Sequence, residues 1–76
     1  MRNHIGEIAG KIWEMLGHKK EVNVSALSKM IKEKSDITYQ GLGWLARENK
    51  LVFHKKGARS FVALTPSEQK VFEAVR

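Results

Sequence analysis

The sequence predicts an α+β fold: three helices around one core, closed by a small antiparallel sheet and followed by a short C-terminal helix. Three observations carry that expectation. Apolar residues recur at spacings of three and four in successive stretches of the first two thirds of the chain, the mark of amphipathic helices. Two β-rich runs, 51–54 and 60–64, flank a basic connection containing Gly57, as in a hairpin. Thr65, Pro66 and Glu68 then form a helix start: a capping hydroxyl, a proline at the first helical position and an acid three residues after the cap.

Ile5, Ile8, Ala9, Ile12, Trp13 and Leu16 share one stripe, so the first helix is expected over residues 4 to 16. Asn3 would cap its start, and Gly17 followed by His18, Lys19 and Lys20 would stop it with cations at the negative end of the dipole. Glu21 to Val24 alternate polar and apolar, which suits a short strand with Val22 and Val24 inward. Ser25 is the expected N-cap of a second helix that buries Leu27, Met30 and Ile31 and ends at Ser35 and Asp36. Asp36 would in turn cap a third helix, leaving a tight turn between the two. At 100° per residue, Ile37, Gly41, Trp44, Leu45 and marginally Leu42 face inward, whereas Tyr39, Gln40, Gly43, Arg47 and Lys50 face outward. Val22 and Val24 would pair beside the hairpin as a third strand. Val71, Phe72 and Val75 give the terminal helix its apolar residues. This element order is that of a winged helix-turn-helix domain, with the hairpin as the wing, spanning residues 1–76 as one unit.

Composition narrows the possible roles. The chain has 76 residues. One this short buries only about 60% of the surface its unfolded form exposes, which argues against a large enclosed active site. There is no cysteine, so neither a disulfide framework nor a thiolate metal site can form, and packing alone, within the chain or against a second copy, must hold the core. Fourteen Lys and Arg against eight Asp and Glu give a net charge of +6, which favours polyanions through counterion release. No apolar run approaches the roughly 20 residues that span a bilayer, and the N-terminal residues lack a secretory layout. No membrane association is expected, and the expected location is the cytoplasm.

The stretch Leu42-Gly43-Trp44-Leu45-Ala46-Arg47-Glu48, preceded by a first helix ending near Trp13-Glu14-Met15-Leu16, resembles a family of small stand-alone winged helix-turn-helix proteins from bacteria and archaea. The resemblance covers nearly the whole chain. It implies the winged-helix fold and, as expected roles, DNA binding and homodimer formation. It supplies no catalytic residue and no ligand.

The third helix stands where a DNA reader would stand. Its outer residues Tyr39, Gln40, Arg47 and Lys50 are of types that reach phosphates or base edges, Arg47 being the best base reader among them. The competing reading is an ordinary solvated helix face. Gly43, exposed in a helix interior, costs about 1 kcal/mol relative to alanine, and close approach of a DNA backbone, a partner helix or a bulky core neighbour would compensate. Gly41, facing inward, is expected to admit Trp13 or Trp44. Lys55, Lys56 and Arg59 surround the wing tip and, with Lys50 and His54, form the densest positive cluster. They suit phosphate contact, or equally protection of a hairpin edge from strand pairing.

Other chemistry finds no apparatus. His4, His18 and His54 lie far apart in the chain and match no metal-binding spacing, so no metal is expected. Glu7, Glu14, Glu33 and Glu48 fall on helix surfaces near cations, with no pair set across a cleft. The glycines at 41, 43 and 57 lack the strand-to-helix context of a phosphate loop, and no cofactor or small-molecule substrate is expected. Trp13 and Trp44 are both expected as core anchors rather than base-stacking platforms. The leading expectation is therefore a non-enzymatic, weakly specific double-stranded DNA binder acting as a transcriptional regulator. Its third helix would enter the major groove while the wing lies along phosphate. The alternative is a homodimeric protein-interaction module of the same fold, with the terminal helix as the place of contact.

Overall fold

Ile8, Ile12 and Leu16, spaced four apart, are the fully buried spine of the molecule, because that spacing keeps three branched side chains on one helical face. The computed structural model describes residues 4–75, with side chains from residue 6 onward. The Asn3 cap and the side chain of Ile5 therefore lie outside the described residues. The elements are α1 (His4–Lys19), β1 (Val22–Asn23), α2 (Val24–Ile31), α3 (Ser35–Arg47), β2 (Leu51–Lys56), β3 (Arg59–Leu64) and α4 (Pro66–Ala74). The expected order holds throughout.

Gly17 does not end α1. The helix continues to Lys19, and the left-handed residue that closes it is Lys20 (φ 74°), whose N–H donates to the Leu16 carbonyl at 2.8 Å. Gly17 is instead a packing position. A β-carbon there would fall inside the van der Waals surface of the Phe72 ring, so its lack of a side chain is what lets α4 close on α1. Phe72 is buried, edge-on to Trp13 at 5.2 Å and to His18 at 5.1 Å between ring centres. Trp13 is half-buried against the core and donates from Nε1 to Glu68 Oε1 at 2.8 Å, which satisfies the one polar atom of an otherwise apolar ring.

The second helix starts earlier than expected. Val24 is its first residue rather than an inward strand residue, and Asn23, not Ser25, is the cap: its Oδ1 accepts from the Ser25 N–H at 2.9 Å and the Ser25 hydroxyl at 2.8 Å. An Asn two residues upstream competes for the same free amides. The strand is left with two residues, but it joins the hairpin's sheet as expected, and its antiparallel partner is β3 (Val22 to Val62, Asn23 to Phe61). The sheet order is β1-β3-β2, with Phe53 opposite Val62 and Lys55 opposite Ser60. The strands of the hairpin run longer than expected, to a two-residue turn at Gly57 and Ala58. Gly57 adopts a left-handed φ of 64° at the first turn position, a conformation that strains residues with a β-carbon.

The start of α4 follows the local signal. Thr65 Oγ1 accepts from the Glu68 N–H at 3.2 Å with Pro66 at the first helical position. The reciprocal half of a capping box is absent: the Thr65 N–H donates to the Lys50 carbonyl at 3.0 Å, while Glu68 turns to Trp13.

Candidate nucleic-acid interface

The turn between α2 and α3 is built by backbone groups. Lys32 takes a left-handed φ of 61°, its N–H donating to the Lys29 carbonyl and that of Glu33 to the Ser28 carbonyl, the pattern that satisfies the last carbonyls of a helix. α3 then begins at Ser35, not after Asp36. Asp36 sits inside the first turn with Oδ1 accepting from the Ile37 N–H at 2.8 Å, and the N-cap position belongs to Lys34, which makes no side-chain cap bond.

What aims α3 is its inner face. Thr38, Gly41, Leu42 and Leu45 are buried. Thr38 is completely so, its hydroxyl donating to the Lys34 carbonyl at 2.8 Å, so a polar residue sits in the core without an orphaned group. Gly41 allows the close approach of α1: a β-carbon there would stand 2.8 Å from Ile8 Cγ2 and 2.9 Å from Ile12 Cδ1. Those two isoleucines, not a tryptophan, fill the space. Pulling this face onto α1 rotates Trp44 outward, and its expected place in the core is wrong. It is 49% exposed, while Leu42, the marginal member of the inward set, is 5% exposed.

The outer face of α3 therefore presents Tyr39, Gln40, Gly43, Trp44 and Arg47, all exposed. Gln40, Gly43, Trp44 and Arg47 line one shallow hollow. Tyr39 lines a second, more polar one, together with Asn23 to Ser25 at the start of α2 and Ala58 to Ser60 at the wing tip. α3, the start of α2 and the wing thus converge on one side of the molecule. Alternation along β2 and β3 separates the wing cations, since Lys55 shares the face of Ser60 and of the buried Val62, while Lys56 and its cross-strand partner Arg59 lie on the other. Lys56 Nζ is held at 3.0 Å from Glu21 Oε1 and stands 5.0 Å over the Phe61 ring, and His54 Nε2 is 3.7 Å from the other Glu21 oxygen. Among the described residues, Tyr39, Gln40, Arg47, Lys55 and Arg59 have no side-chain hydrogen bond or ion pair.

Lys50 does not belong with them. The helix ends at Arg47, Asn49 turns left-handed (φ 60°), and Lys50 lines an apolar cleft with Ala9, Trp13, Leu45, Glu68 and Val71. The helical projection that placed Lys50 beside Arg47 extended the helix three residues too far. Sequence reasoning missed Trp44 and the Asn23 to Ser25 segment as members of the exposed side. The spacing 40, 43, 44, 47 was the available signal for Trp44, being itself a single helical stripe. Among the described residues, no group of three or more His, Asp or Glu side chains is placed to hold a metal ion, and no helix is long and apolar enough to cross a membrane.

A two-helix unit whose second helix offers an open face beside a three-stranded sheet and its hairpin defines a winged helix-turn-helix domain. The chain belongs to the family described as a winged helix-turn-helix domain (DUF2582), which it matches over residues 1–64. It is also similar to the uncharacterized protein MJ1608 of Methanocaldococcus jannaschii. The two are 34% identical over 67 residues, a span that takes in 84% of this chain and 94% of that one.

Proposed function

We propose that the protein binds double-stranded DNA with weak sequence preference, as a cytoplasmic transcriptional regulator, with α3 in the major groove and the wing along phosphate. The observation that carries this reading is the convergence of Tyr39 on α3 with Arg59 at the wing tip in one hollow. A helix in a groove and a hairpin on the flanking backbone need that juxtaposition. Gln40 and Arg47 are the base-edge readers, Gly43 permits close approach, and Tyr39, Lys55 and Arg59 meet phosphate. Lys56 contributes less, because Glu21 is paired with it, and Lys50 lines a different cleft.

The test is titration of a random-sequence duplex at two salt concentrations. Reversing Lys55 and Arg59 together to Glu should lower affinity at least tenfold in low salt and reduce the salt slope by about 2, one for each lost phosphate contact. Lys56→Glu alone should do less than either single reversal. Unchanged binding by the double variant would overturn this mode.

A second reading is homodimerisation through the α1 and α4 side. It is favoured by the exposure of Val71 on α4 (46%) and of Val75 at its C-cap (68%), the former lining the apolar cleft with Ala9 and Trp13. A dilution series by sedimentation tests it: a monomer persisting at high micromolar concentration excludes this dimer.

A further inference from the structure

Trp44 is the largest side chain on the outer face of α3, and its exposure needs a reason. An indole half in water wastes apolar area that the core could have used. Its neighbour Gly43 is equally out of place, because a β-carbon there would meet nothing within 4 Å; no packing inside the molecule requires a glycine. Together the two make a notch with an apolar wall. Gln40 and Arg47 complete the hollow, and no carboxylate lines it.

We infer that this notch is a binding site for the C5-methyl group of thymine in the major groove, with Trp44 as its specificity-determining residue. The inference rests on the DNA-binding reading above and adds to it which base is read and by what. Thymine is the one standard base that presents a methyl in that groove, and apolar side chains recognise it by contact alone. The flanking side chains match its surroundings. Gln40 can pair in bidentate fashion with an adenine edge and Arg47 with a guanine edge. One helical turn separates Gln40 from Trp44, about 6 Å at 1.5 Å per residue, which is one to two base steps at about 3.4 Å each. An adenine under Gln40 therefore leaves a thymine within reach of Trp44. Gly43 keeps the helix backbone low enough for the methyl to enter beside the ring rather than be held off by a side chain. Arg47 at the edge of the notch, with no carboxylate in the lining, fits a polyanion, and the net charge of +6 disfavours a second copy of this chain.

The experiment compares an A·T-rich duplex with the same duplex carrying deoxyuridine in place of thymidine, which removes only the methyl. The readout is the ratio of the two affinities, not either affinity alone. The wild-type chain should prefer the thymidine duplex about fourfold for each methyl seated, the equivalent of burying one methyl group. Trp44→Ala should bring the ratio to about one. Gly43→Ala, which cannot unfold the helix, should also bring it towards one by filling the notch while raising the melting temperature. Equal affinity of the wild type for both duplexes, with binding intact, overturns the methyl site and leaves the DNA reading standing. Failure to bind either duplex in low salt overturns both. Retention of the ratio by Trp44→Ala overturns the assignment to this residue.

Discussion

The side of the molecule formed by α1 and α4 and the side formed by α3 and the wing use similar residues and connect them differently. On the first, Trp13 is bonded to Glu68, Gln69 Nε2 donates to the Gly17 carbonyl at 3.1 Å, and Lys20 and Gln69 both reach Glu73. On the second, Trp44, Gln40, Arg47, Lys55 and Arg59 face water with nothing joined to them among the described residues. The two tryptophans make the contrast sharpest, one stacked edge-on against Phe72 and hydrogen-bonded, the other on an open helix face. Contacts on the first side hold the fold together. The exposed, unbonded side chains on the second contribute little to folding.

That division can be broken at its strongest point first. Phe72→Ala should destabilise the chain by about 3–5 kcal/mol, as expected for emptying an aromatic core position. Gly17→Ala, which drives a methyl into the same ring, should cost about 1–3 kcal/mol by overpacking. Urea denaturation measures both, and a Gly17→Ala variant as stable as the parent would show that α4 is not docked through that residue. Next comes the tryptophan pair. Trp13→Phe keeps a ring but leaves Glu68 without its donor and should cost about 1–2 kcal/mol, whereas Trp44→Phe should stay within about 0.5 kcal/mol of the parent. Equal losses at the two sites would erase the distinction between the sides.

The smallest effect is electrostatic. The hydrogen bond from Lys20, then that from Gln69, and the Lys20 charge hold the Glu73 carboxyl below the ordinary carboxylate value. A lowered folded-state value means that the stabilisation is present above the unfolded carboxylate range and is lost as pH falls through the folded one. Thermal melts of Glu73→Gln against the parent should therefore differ slightly at neutral pH and converge in acid. A difference that grew in acid would show that the pairing is not what shifts the group.

Local signals in the sequence were enough to foresee the element order, the Thr65 and Pro66 helix start and the hairpin around Gly57, because each depends on residues within one turn or one strand pair of one another. The α+β class and the exposure of Tyr39, Gln40 and Arg47 follow from the same short-range periodicity. The sequence reading took Ser25 as the cap of α2, and the structure gives that place to Asn23. Gly17 reads as a helix stop until Phe72, from the far end of the chain, is placed over it.

Periodicity thus determined which segments are helix or strand and roughly which stripe of each is apolar. Tertiary packing decided the rotation of α3 about its own axis. With Gly41 seated against Ile8 and Ile12, Leu42 and Thr38 turn into the core and Trp44 turns out, a change of a few tens of degrees that no helical projection resolves at its margins. The same contact determined which side of the molecule is open, because a helix has only one face left to offer once the other is packed.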